Sequence, residues 1–373
     1  MSLKSRLRRS LRRLISLPAA LPAPADHIDA PYLRAVEGRI PIGDQVVIVP
    51  SFQSTLETEG VEEVRLGSVR VSGSRGWIYQ NGIWLMLFSW YGGQSFLPQS
   101  YQIPPSLDLI PGNSETIRGS ATSTIPTFGS IYGHVLLDEL PLLLYLMEDD
   151  RFKKYKTVLC SKLATRLLLR IRHPNLDQLI ARARAARSDT SYEMTDFTAI
   201  RRTGCRMNPS RDEIELLRAH SPTLRGAAPN STPSMVYLRR ASSTRAIRNE
   251  SAVYEILDRH GIESRAPGEL SDPWDTFARA DLIVGVSGSD LSDSVFMKPG
   301  AVLLEIHPSD HIKPYNWNIA RKLGLKYRSL VARSDIERRT PVGPGNSPIT
   351  IDLEVFDRRL REAVLLARLG GTS

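Results

Sequence analysis

Four short stretches of this chain carry residue types suited to acid–base and anion chemistry. The first is "HVLLDELP", residues 134–141. On a helix, His134 and Asp138 stand four apart and share a face. An imidazole beside a carboxylate makes a general base: the carboxylate fixes the tautomer and the ring takes the proton. A carboxylate alone can also serve, and a simple brace between the two side chains uses the same spacing. The second is "VGVSGSDLSD", residues 284–293. Gly285 and Gly288 allow close backbone approach, and Ser287 and Ser289 add hydroxyl groups. N–H groups opening the next helix would face an anion, with Asp290 capping that helix rather than meeting a phosphate. As a nucleophile elbow the stretch fails, because Ser289 replaces the last glycine.

The third stretch, "YLRRASSTRAIRNE" at 237–250, packs Arg239, Arg240, Arg245 and Arg248 into ten residues and ends on Asn249, which begins a helix. The planar arginine fork suits phosphate oxygens, and a cluster at a strand end points to a diphosphate. The fourth, "LLEIHPSDH" at 303–311, puts Glu305 at the end of a buried strand. An acid belongs there only when it meets a ligand or a partner. A ribose diol would suit it. His307, Asp310 and His311 match no strong metal-ligand spacing.

The elements that position these residues are clearest in the second half. "SMVYLRR", "IESRA", "DLIVGVS", "GAVLLEIHP" and "LKYRSLV" read as strands, separated by helical patterns. Asp272 should cap the helix that begins at Pro273. Such alternation predicts an open parallel sheet with helices on both faces, whose ligands sit at the carboxyl ends of the strands. The first half is read as another α/β unit with a β-rich start. "YKTVLCS" reads as a strand, and helical patterns occupy about 162–172, 175–187 and 211–224. The expected division is a basic tail with a Pro/Ala linker at 1–29, an N-terminal α/β domain at 30–228, a Rossmann-like domain at 232–340, and a closing loop and helix at 341–373.

The 373 residues include only two cysteines, Cys160 and Cys205, with no C-x-x-C. That fits a reducing compartment. Six of the basic residues behind the net charge of +9 lie in the first thirteen positions. Without them the charge is about +3, which leaves the body no footprint for nucleic acid. In the tail, Leu3, Leu7, Leu11, Leu14 and Ile15 recur at helical spacing among arginines. A helix there would rest on an anionic membrane surface. No apolar run is long enough to span a bilayer. The expected location is cytoplasmic, peripheral on the inner face of the membrane.

In this order, the stretches resemble glycosyltransferase family 61, a group also labelled as capsular polysaccharide biosynthesis proteins. "GHVLLDELP" resembles its G-H-x-x-x-D-x-L-P segment, "RAIRNE" its R-x-x-x-N-E-like segment, and "GVSGSDLSDSVFMKPGAVLLE" its long last motif. Ser287 stands where many members have His, Asp290 where Gly is common, and Asp293 where Asn is common. The resemblance implies a GT-B-like α/β architecture, two Rossmann-like domains facing a cleft. It implies inverting transfer of a hexose or pentose from a nucleotide-sugar donor to a hydroxyl of a polysaccharide or lipid-linked glycan. No cofactor or essential metal is expected. Asp138 or His134 would be the base. Arg239, Arg240, Arg248, Asn249, Gly285, Ser287, Gly288, Ser289 and Asp290 would hold the donor, with Glu305 on the ribose. The alternatives are another polysaccharide-modifying transferase, pyruvyl or acyl, and a non-catalytic sugar-binding descendant.

Overall fold

The computed structural model describes residues 33–42, 45–54, 62–73, 76–80, 83–84, 113–126, 129–201, 207–222, 234–240, 244–335 and 346–370. The basic tail and most of the linker before Met235 lie outside the described residues. A hairpin of β1 (Leu33–Ile42) and β2 (Gln45–Ser54) comes first. Two larger sheets follow.

The first sheet contains β3 (Glu62–Ser72), β4 (Ile78–Gln80), β5 (Ile83–Trp84), β6 (Asn113–Ser123), β7 (Thr157–Cys160), β8 (Ala183–Ala185) and β9 (Thr190–Arg201). Its order is β5-β4-β3-β9-β6-β7-β8. Strands β9, β6, β7 and β8 run parallel, whereas β3 pairs antiparallel with both β4 and β9. The helical pattern expected over 175–187 is cut short. The helix covers only Leu176–Ile180, and Ala183–Ala185 leaves it to become the edge strand β8.

The second sheet contains β10 (Met235–Leu238), β11 (Glu263–Arg265), β12 (Leu282–Val286), β13 (Val302–Pro308), β14 (Lys326–Ser334) and β15 (Ile349–Thr350), in the order β11-β10-β12-β13-β14-β15. It is parallel from β11 to β14. β12 and β13 are buried along their whole length, as strands covered on both faces must be. Asp272 accepts from the N–H groups of Trp274 and Asp275 and so caps the Pro273–Arg279 helix. From β10 the chain first steps outward to β11, then returns to lay β12 on the other side of β10. The strand order therefore reverses between β10 and β12, the place where open α/β sheets leave a crevice at their carboxyl ends.

A continuous helical segment joins the sheets. It runs as Tyr132–His134, a π-helical turn Val135–Glu139, and Leu140–Met147. Leu136, Leu137, Leu140, Leu143, Leu144 and Leu146 are fully buried, so it is apolar nearly all round and lies in the interior. One apolar cluster unites these leucines with Trp274, Phe296 and Leu303 of the second half. The opposite face of the second sheet is covered by the Glu250–Arg259 and Leu353–Gly370 helices.

Candidate active site

The reversal point between β10 and β12 is where the arginines gather. Arg240 follows the end of β10, and Ser287–Gly288 follows the end of β12. Gly288 has φ 171, an extended conformation open to any residue. A Cβ there would lie 2.2 Å from Nη1 of Arg240 and 3.2 Å from Nη1 of Arg245, so the bare glycine backbone lets both guanidinium groups come close. Arg245 donates to the Ser287 carbonyl oxygen. Arg240 donates to Thr244 Oγ1 at 3.2 Å and stands 3.6 Å from the Asp290 carboxylate. Burial, then the neighbouring Arg240 charge, pushes Arg245 down to about 10; Asp310, Asp290 and Glu305 act in the opposite sense. Two guanidinium groups held together out of water repel each other, and an anion between them would offset that cost.

The second element of the site is the His134–Asp138 dyad. His134 Nδ1 donates to Asp138 Oδ2 at 2.8 Å, and the Met207 N–H donates to Asp138 Oδ1 at 2.9 Å. The Asp138 side chain is wholly buried and His134 is 9% exposed. With Nδ1 protonated toward Asp138, the lone pair of a neutral ring sits on Nε2. Aspartate thus orients the ring, and histidine is the member placed to take a proton. The dyad sits where the helix widens into its π turn, a departure frequent at functional sites.

These two elements touch. A Cβ on Gly133 would lie 2.4 Å from Ser292 Oγ, 2.8 Å from Met207 Cε and 3.4 Å from Ser289 Cα. The backbone beside His134 therefore packs directly on the loop that follows β12. Gly288 faces the arginine pair, and its neighbour Ser289 faces the residue before His134. The arginine pair and the His–Asp segment are thus brought to one dipeptide.

Residues 132–304 match a family model described as Glycosyltransferase 61. Over these residues the chain is similar to glycosyltransferase family 61. The match begins at Tyr132, just ahead of the dyad, and runs into β13, so it covers both elements of the site. A comparison with curated proteins found no match.

The other expected donor residues divide. Gly285 lies inside β12, where a Cβ would press on Leu291 Cδ2 at 3.0 Å. Asp290 pairs with Arg240 instead of capping a helix: Ser289–Phe296 is 3-10 helical, and its cap, Gly288, makes no side-chain bond. Arg239 pairs with Glu269. Arg248 reaches Asp335 at 2.7 Å and is 61% exposed. Asn249 exchanges two bonds with the backbone of Ile351. These three are held by other partners, whereas Arg245 stands with Arg240 at Gly288. Glu305 is fully buried and accepts from Asn316 Nδ2 and Tyr327 OH, each at 2.7 Å. His307 Nε2 lies 2.9 Å from the same tyrosine oxygen.

Among the described residues, one trio has metal-like spacing, Glu148, His173 and His220. The Nε2 atoms of His173 and His220 lie 3.5 and 3.1 Å from Glu148 Oε1. However, His173 Nδ1 accepts the Asn175 N–H at 3.0 Å. Its Nε2 must therefore carry the ring proton, which faces Glu148 and leaves no lone pair for a metal. The trio is a hydrogen-bonded clasp joining three chain segments.

Proposed function

We propose that the chain is an inverting glycosyltransferase using a nucleotide-sugar donor. Arg240 and Arg245, with the backbone at Ser287 and Gly288, bind the donor diphosphate. His134, oriented by Asp138, removes the proton from an acceptor hydroxyl as its oxygen attacks the anomeric carbon. The bond from that carbon to the diphosphate oxygen breaks, and the departing nucleoside diphosphate takes the electron pair. The two guanidinium groups meet the developing negative charge. Attack opposite the leaving group inverts the anomeric centre. The reading assigns no step to a metal or cofactor.

The observation carrying this proposal is the Gly288–Ser289 dipeptide, with an arginine pair against one residue and the dyad segment against the next. The acceptor would be a glycan, polysaccharide or lipid-linked, entering from the first-sheet side in a GT-B-like arrangement. No helix of the described residues is long and apolar enough to cross a membrane. Contact with an anionic inner leaflet rests on the basic tail. The experiment is a thermal-shift screen with UDP, GDP and other nucleoside diphosphates. A ligand that binds the native state at a hundred times its Kd stabilises it by about 2.7 kcal/mol. A rise in Tm with at least one diphosphate, absent with the free sugars, is the expected result. No shift with any of them at millimolar concentration contradicts the reading.

A further inference from the structure

Beside the dyad, Tyr132 makes a contact to which the proposed reaction assigns no step. Its hydroxyl donates to Asp293 Oδ1 at 2.5 Å and accepts from Trp274 Nε1 at 2.9 Å. Both of the hydroxyl's roles are thus filled by the second half of the molecule. Trp274 is fully buried, its ring lies 4.6 Å from Phe296, and the Arg170 guanidinium stacks on it at 4.0 Å. Arg170 also pairs with Asp272, the cap of the Trp274 helix. The anchor is therefore fixed from several elements.

Tyr132 precedes His134 by two residues, and Asp293 follows Ser289 by four. The pair flanks the contact in which Gly133 packs on Ser289 and Ser292. We infer that Tyr132 and Asp293 are a positioning pair, which sets how closely the proton-accepting dyad approaches the anion loop. This rests on the reading of His134 and Asp138 as the proton acceptor. Neither member of the pair touches substrate. The pair acts by holding His134, and a displacement on the ångström scale costs a reaction of this kind about a hundredfold.

Titration supports the assignment. Burial raises Asp293 to about 7. The groups facing it are Tyr132, Arg170, Asp272 and, on its own segment, Asp290. Below that pH the carboxylate is lost, and with it the charge-assisted bond from Tyr132. The pair should therefore hold His134 most firmly above pH 7.

The test follows His134 directly in the full-length chain. Histidine labelled with 13C at Cε1 gives one signal for each of seven residues, and His134→Gln identifies the relevant one. Tyr132→Phe and Asp293→Leu should move or broaden the His134 signal and shift its titration midpoint by about half a pH unit or more. Transfer kcat should fall about 10- to 100-fold, with diphosphate affinity within about twofold. Asp293→Asn keeps an acceptor for the tyrosine. Being neutral, it should match the wild-type signal and kcat below pH 7 and lack the rise in kcat that the wild type shows on passing through about pH 7. If Tyr132→Phe fails to fold, Asp293→Leu carries the test alone, with the same expectations. A folded variant whose His134 signal and midpoint match the wild type overturns the positioning pair, whatever the chain transfers. Full transfer by Asp138→Asn instead overturns the dyad, so the two failures are distinguishable.

Discussion

Two adjacent strands, β12 and β13, place their polar groups differently. After β12, the Ser287–Gly288 backbone has two guanidinium groups drawn against it, with an aspartate 3.6 Å from one of them. Midway along β13, Glu305 is fully buried and held at 2.7 Å by both Asn316 and Tyr327, so the strand runs past the end that its sequence suggested. The first arrangement concentrates like charge, and an anion would relieve it. The second already supplies the donors its acid needs. We therefore read the arginines as ligand groups and Glu305 as an internal strut.

The largest effect that could break this contrast is the loss of the arginine pair. Arg240→Met with Arg245→Met should weaken nucleoside diphosphate binding by about 100-fold or more, as expected when charge-assisted bonds worth about 1.5–3 kcal/mol each are removed. Arg239→Met and Arg248→Met, measured by the same titration calorimetry, should stay within about twofold, because those side chains already pair with Glu269 and Asp335. Equal losses at all four positions would erase the distinction.

Glu305→Gln sharpens it from the other side. Its new amide N–H₂ would face donors from Asn316 and Tyr327, so unfolding in urea should show a loss of about 1–3 kcal/mol. Diphosphate affinity should remain within about twofold. A variant that keeps its stability but loses affinity would return Glu305 to the ligand.

Glu139 belongs with Glu305. It accepts from Thr124 Oγ1 at 3.2 Å, Ser161 N at 2.6 Å and Ser161 Oγ at 2.5 Å, and burial pushes it up to about 8. Its ionised form is disfavoured in the folded state. The stability it contributes is therefore complete below the ordinary value of 4.5 and is lost as pH rises through about 8. A Tm series from pH 5 to 8 should fall, and Glu139→Gln should flatten it by up to about 1.4 kcal/mol per pH unit. Identical slopes would remove Glu139 from this class.

Much of this was legible in the sequence because it depends on local spacing. The four-residue interval of His134 and Asp138, the β/α alternation of the second half, the Asp272 cap and the loop after β12 all follow from residues close together in the chain. What was hidden depends on distant partners or on backbone direction. Arg245 sits at φ 60, a left-handed turn uncommon for arginine, and this aims it at Ser287. Counting arginines cannot reveal that. Glu305 is held by residues 11 and 22 positions further along. β9 pairs with β3 across more than a hundred residues and carries no strong local signal. The close approach of Gly133 to Ser289 is visible only once both sheets are folded.

The central claim is that an arginine-lined anion site and a His–Asp proton acceptor form one centre. Asp138→Asn tests it most directly, with diphosphate affinity and transfer rate measured on the same preparation. The account predicts affinity within about twofold of wild type and transfer lower by about 10²- to 10⁴-fold, as expected when the base loses the carboxylate that fixes its tautomer. Wild-type transfer by that variant would contradict it.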